Sequence, residues 1–357
     1  MSRDHFVLTI NPGSTSTKIA LYRGDESLFS ETLHHKNEDL ADFRRIADQH
    51  EMRRDCILEC LNRHKVDLHS LDAVVGRGGL LRSIPSGTYH VNEHMLAELR
   101  APKKREHASN LGALIASEIA ESTGVPAFIV DPVCVDEFDE IARISGLPEI
   151  ERKSLSHALN LKALARRAAA DMGKRYEEIN LVVVHMGGGI SIGPHRRGRM
   201  VDVNQALDGT GPFSPERAGG LPVGDMVRMC YSGDYTSEEV MRKVVGHGGL
   251  VAHLGTNDAR EVERRIAGGD KHAELIYQAM AYQIAKEIGA MATVLKGDVD
   301  AIVLTGGLAA SHMLTDWLRE RIEWISPVMI YPGQDEMLAM AEGALRVLRG
   351  EENAKDY

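Results

Sequence analysis

The chain has 357 residues, 43% of them hydrophobic and 26% charged, with a net charge of −10. That suits about two ordinary globular domains with real cores. Its acidic and basic residues are interspersed, so nucleic acid is not an expected partner, because phosphate-backbone affinity needs clustered Lys and Arg. No apolar run approaches the roughly 18 residues of a membrane span. The opening MSRDHFVLTI has no secretory signal architecture, so a cytoplasmic location away from membranes is expected. The four cysteines at 56, 60, 134 and 230 form no CxxC pair, and no HExxH occurs among the histidines. Neither a disulfide scaffold nor a zinc hydrolase is indicated.

In chain order, Phe6 to Ile10 reads as a buried strand. The polar turn Asn11-Pro12-Gly13-Ser14-Thr15-Ser16-Thr17-Lys18 follows, and apolar residues resume at Ile19 to Tyr22. A helix-rich stretch is expected over 38–65, a strand over 71–75, a helix over 108–122 and a strand over 127–130. The second half opens the same way. A buried strand at Leu181 to Val184 meets Met186-Gly187-Gly188-Gly189, and a further strand starts at Ile190. A long helix over 271–295, a strand over 301–304, a helix opened by Gly306-Gly307, a strand over 328–331 and a terminal helix from 336 complete the pattern. Two strand–turn–strand units half a chain apart imply an internally duplicated fold.

The first turn is not a Walker A loop, because its spacing fails GxxxxGK[ST] and it leads into a strand. It still gathers backbone N–H groups, hydroxyls and an ammonium into eight residues, which can form a nest for phosphate oxygens. A polar hairpin without a ligand is the competing reading. In the second turn, His185-Met-Gly-Gly-Gly-Ile-Ser191, glycine permits close backbone approach to an anion, although a strained structural hairpin would look alike. The chain has no GxGxxG, which disfavours a dinucleotide oxidoreductase. Arg77, Asp131, His157, Asp335 and Glu336 lie beside strand ends or polar turns. Singly such residues are caps or salt bridges. Together they offer the cations and carboxylates that phosphoryl transfer requires. The basic run Lys103-Lys104-Arg105 reads as a solvated loop.

The segments INPGSTSTK, VGRGGLL and VVVHMGGGIS are the most specific pieces of a resemblance, spanning nearly the whole chain, to the acetate kinase family of the sugar kinase/Hsp70/actin superfamily, most closely its butyrate kinase branch. The resemblance implies an α/β, two-lobed duplicated ribonuclease H-like (actin-like ATPase) fold with nucleotide in the interlobe cleft. One lobe would be 1–153 plus 333–357, and the other 154–332, the latter also carrying a dimer interface. It implies ATP/ADP and Mg²⁺ as cofactors, a short-chain carboxylic acid or acyl phosphate as substrate, and a homodimer or higher homo-oligomer. Asn11, Ser14, Ser16 and Lys18 would form the first phosphate turn, and His185 with Gly187, Gly188 and Gly189 the second. Asp258 and Arg260 of GTNDAR, with Gly306, Gly307 and Leu308, would hold adenosine. Arg77, His107, His157 and Arg217 would face the transferred phosphoryl group, and Asp131 and Glu336, or Asp335 beside it, the metal.

The departures from the family pattern carry information. Val74 stands where the family has an arginine, with Arg77 three residues on. GLPVGD replaces GTRSGD, which leaves Arg217 as the nearest second arginine, and GLAAS replaces the GIGEN adenosine turn. Gly76 and Ser156 stand where acetate kinases carry Val and Phe, which implies a roomier acyl pocket. The activity implied is a short-chain fatty acid kinase of the butyrate type, with branched-chain acids, propionate or acetate as alternatives. A sugar or hydroxy-compound kinase is the rival within enzymes, and a nucleotide-gated actin/Hsp70-like interaction protein the rival outside them.

Overall fold

The computed structural model describes residues 4–101, 107–333 and 335–357. The Lys103-Lys104-Arg105 run lies outside the described residues. The chain falls into two compact units, residues 1–135 with 335–357, and residues 136–334.

In the first unit, β1 (Phe6–Pro12), β2 (Ser16–Arg23) and β3 (Glu26–His34) form an antiparallel meander. β4 (Ala73–Gly76) and then β6 (Ala127–Val130) add in parallel on the other side of β1, and β5 (Thr88–His90) closes that edge antiparallel. The sheet order is β3-β2-β1-β4-β6-β5. β4 and β6 are buried throughout, as strands covered on both faces should be. The helices Asn110–Thr123 and Glu336–Leu348 both pack on β1, β4 and β6, and the second of them comes from the far end of the chain.

The second unit repeats this plan. β7 (Asn180–Met186), β8 (Ile190–Arg196) and β9 (Arg199–Met200) form an antiparallel meander, and β10 (Ala301–Gly306) and β11 (Val328–Pro332) add in parallel beside β7. The order β9-β8-β7-β10-β11 matches β3-β2-β1-β4-β6 element for element. The expected duplication is therefore present in topology. Each glycine turn joins the first two strands of its sheet.

Residues 136–153, expected in the first lobe, pack in the second unit. Asp139 N–H donates to Val201 O at 3.0 Å, Arg196 pairs with Asp139 at 2.8 Å and Arg152 with Asp202 at 2.7 Å. The helix-rich stretch expected over 38–65 consists of Asn37–Ala41, a 3₁₀ turn at Ile46–Gln49 and the helix His50–Arg63. Gly306-Gly307 does not open a helix directly. Gly307–Ala310 is a 3₁₀ turn, and Ser311 caps the helix His312–Ile322 by accepting the Leu314 N–H at 3.0 Å.

Candidate active site

In the first unit, parallel pairing sets Ile10 beside Gly76. Asn11 and Arg77, the next residues on, therefore emerge together at the carboxyl ends of β1 and β4, the usual place for ligands on such sheets. The Arg77 N–H donates to Ile10 O at 2.8 Å and fixes this junction. Glu336 joins them from the first turn of its helix. Its Oε2 accepts from Asn11 Nδ2 at 2.7 Å, and its Oε1 pairs with Arg77 Nη2 at 3.1 Å. Asp335 instead caps the helix, accepting the Leu338 N–H at 3.0 Å, so Glu336 is the carboxylate of this cluster. Arg77 is buried, and its Nη1 meets no acceptor among the described residues. A buried donor left unmade is costly, and an anionic ligand would relieve that cost.

His107 belongs to the same neighbourhood. Burial, and behind it the Arg77 guanidinium, holds its pKa below the ordinary histidine value. Its Nδ1 accepts the Ser109 N–H at 3.2 Å, which leaves the proton of the neutral ring on Nε2. Asp131 is buried and holds a left-handed backbone, φ 37°, a strained conformation typical of functional sites. Its Oδ1 accepts from Ser86 Oγ at 2.6 Å and from the Gly87 N–H at 2.8 Å. Lys18 and Ser14 are exposed at the first turn, and Ser16 is half-buried.

Gly76 requires a correction. A Cβ there would lie 2.1 Å from Gly112 O, against the backbone of the helix Asn110–Thr123. The missing side chain lets that helix approach β4, so it does not widen an acyl pocket.

In the second unit, His157 and His185 stack with ring centroids 4.0 Å apart and planes 18° apart. Ser191 Oγ accepts the His157 N–H at 3.3 Å and lies 2.9 Å from His157 Nδ1. This contact fixes the orientation of the His157 ring. His185 Nδ1 lies 2.9 Å from Asn160 Oδ1. Ser156, just before His157, is buried, and its Oγ has no hydrogen-bond partner among the described residues.

The glycines of the second turn have distinct uses. A Cβ on Gly189 would fall 2.0 Å from Arg217 Nη1, so this glycine lets the Arg217 guanidinium lie on the turn. Burial lowers the Arg217 pKa, and its Nη1 donates to Ala206 O. Gly187 and Gly188 line a cavity of about 520 Å³ with Asp258, Arg260, Gly307 and Leu308. The residues expected at the adenosine site thus come together with the second turn. Gly306 does something else: at φ 91° it packs on the Met186 backbone, where a Cβ would lie 2.3 Å from Met186 O. Sequence reasoning missed Glu216, Asn257, Glu263 and Ser311, which supply the polar wall of this cavity. It also missed Ser191 and Asn160, which orient the histidines.

The acetokinase family model matches residues 151–322. Butyrate kinase 2 of Clostridium acetobutylicum is 54% identical over 351 residues, spanning 98% of this chain and 99% of that protein. The chain belongs to the acetokinase family. Solved structures agree at the level of fold. Acetate kinase of Porphyromonas gingivalis has a TM-score of 0.79 at 20% identity, covering 96% of this chain and 100% of its own. A propionate kinase from Francisella tularensis subsp. tularensis SCHU S4 has a TM-score of 0.72 at 18% identity, covering 95% and 98%. This acetokinase carries Val74 fully buried in β4, where the family pattern has an arginine. The charged group after β4 is Arg77.

Proposed function

We propose that this acetokinase transfers the γ-phosphoryl group of ATP to a short-chain fatty acid, butyrate foremost, giving ADP and an acyl phosphate, reversibly and in the cytoplasm. The 54% identity to butyrate kinase 2 across nearly all of both chains carries this reading. The site chemistry supports it. A carboxylate is already anionic, so no general base is required. Catalysis then rests on in-line placement and on spreading charge over the moving phosphoryl group.

In the first unit, Arg77 Nη1 and the His107 Nε2–H are donors suited to phosphoryl oxygens. In the second, the His157 ring and Arg217 serve phosphate oxygens, while the cavity at Asp258, Arg260 and Leu308 takes the adenosine. Asp131 and Glu336 offer hard carboxylate oxygens of the kind Mg²⁺ accepts, and the ion would supply charge neutralisation on the nucleotide phosphates.

A homo-oligomer belongs to the same proposal. An apolar groove of about 640 Å³ in the second unit, lined by Leu221, Val223, Val227, Tyr231 and Met241, is the surface a second copy would cover. Among the described residues no helix is long and apolar enough to cross a membrane. The deciding experiment measures ADP release with and without butyrate and with and without Mg²⁺. Release that needs both supports the kinase, and equal ATP hydrolysis without acid would replace it with a nucleotide-gated interaction protein.

A further inference from the structure

Arg53 sits on the helix His50–Arg63, on the face that also buries Ile57, Cys60 and Leu61. It is completely buried, yet no carboxylate among the described residues pairs with it. Its partners are all neutral, and most belong to the first glycine turn. Nη1 donates to Gly13 O at 2.7 Å, Ser16 O at 3.0 Å and Thr17 Oγ1 at 3.2 Å, and Nη2 donates to Ser14 O at 2.9 Å. Gln49 Oε1 accepts from Nη2 at 2.8 Å and steadies the guanidinium from the preceding 3₁₀ turn. The remaining carbonyl of the turn, Thr15 O, accepts the His35 N–H at 2.9 Å.

The carbonyls of Gly13, Ser14, Thr15 and Ser16 are therefore all tied into the protein. In a planar trans peptide the next residue's N–H points opposite to the carbonyl. Turning the Gly13 and Ser14 carbonyls to the buried guanidinium aims the N–H groups of Ser14 and Thr15 away from it. Among the described residues, the Ser14 and Thr15 N–H groups donate to no protein acceptor. Successive N–H groups in such a turn can hold an anion, and the Arg53 guanidinium is bonded to the carbonyls on their opposite side. A buried charge without a counter-ion is normally strongly disfavoured.

We propose that Arg53 is a positioning residue for the nucleotide phosphates: it folds the first turn into an N–H nest and leaves a buried positive charge that a bound phosphate completes. The proposal rests on the kinase reading, and it identifies what that reading left without a residue, the group that shapes the nest. His35 adds no competing charge, because burial, and then Arg53, push its pKa down to about 4.

The test measures binding of ATP, ADP and adenosine to the full chain by titration calorimetry, and steady-state kinetics with butyrate, for wild type, Arg53→Gln and Arg53→Lys. The Gln variant, which removes the charge, should bind ATP and ADP about tenfold or more weakly and adenosine within about twofold of wild type. The Lys variant keeps the charge but loses the fork. It should raise KM for ATP about threefold or more and leave KM for butyrate unchanged. Wild-type affinity for ATP in the Gln variant, or equal losses for ATP and adenosine, would overturn the proposal. If the Gln variant does not fold, the Lys variant decides, and an unaltered KM for ATP there overturns the proposal. Failure of both variants to fold assigns Arg53 to the scaffold alone. A wild-type chain that binds ATP but phosphorylates no acid would remove the kinase reading and leave this binding comparison intact.

Discussion

At Gly76 and Ser156 the family pattern points to one acyl pocket, and the two residues have different surroundings. The Gly76 Cβ direction runs into the Gly112 backbone at 2.1 Å, and that backbone cannot yield as a side-chain tip can. Gly76→Val should therefore lower stability by about 1–3 kcal/mol, as overpacking does. It should depress kcat/KM for acetate and butyrate alike, and a selective loss for butyrate would restore Gly76 to the pocket. Ser156 is then the residue proposed to set chain length; it is buried next to His157, and its hydroxyl has no partner among the described residues. Ser156→Phe should reduce kcat/KM for butyrate several-fold more than for acetate, since pocket discrimination is worth about 1–3 kcal/mol per methylene. Equal losses for the two acids would remove Ser156 from acyl recognition. His157→Ala should lower kcat by about 10²–10³-fold with little change in KM for ATP, because its ring is proposed to meet charge developing on the phosphoryl group. A normal kcat with weakened ATP binding would contradict that role. Arg53 went unread because a lone Arg in a helix usually faces solvent. Its signal was a charged residue on the Ile57, Cys60 and Leu61 face.

At the scale of elements, the helix Glu336–Leu348 illustrates a conflict between propensity and packing. Gly343 lies inside it, where alanine would ordinarily gain about 1 kcal/mol. A Cβ at Gly343 would fall 2.5 Å from both Val130 methyl carbons on β6, and a stiff β-branched neighbour on a buried strand moves little. Packing should win, so Gly343→Ala should lower the urea midpoint of the first unit. A raised midpoint would mean that the helix shifts freely on its sheet. The buried strands β1, β4, β6, β7 and β10 were legible because each is a short apolar run bounded by turn residues. β3 was not, since ESLFSETLH is an edge strand that is exposed at alternate positions and polar in composition. The helices Val223–Cys230, Ser237–Val244 and Gly249–Leu254 were also unread, because they are short and only weakly buried.

Over the whole molecule, the duplication was legible as two strand–turn–strand openings, although their sequences hardly match. What repeats is the order of burial and the place of the turn, and these are what a sheet core constrains. The clusters assembled at each turn were only partly legible. Asn11, Arg77 and Glu336 could be named singly, but their joining depends on parallel register between β1 and β4 and on a helix from the far end of the chain. Carboxylate-dependent phosphoryl transfer is tested by trapping the acyl phosphate as its hydroxamate across straight and branched acids from two to six carbons. With ATP and Mg²⁺, hydroxamate should form fastest with butyrate. Propionate and branched four- and five-carbon acids should follow, with acetate lower by about tenfold, since each buried methylene contributes about 0.8 kcal/mol. ATP consumption without hydroxamate from any of these acids would contradict the account.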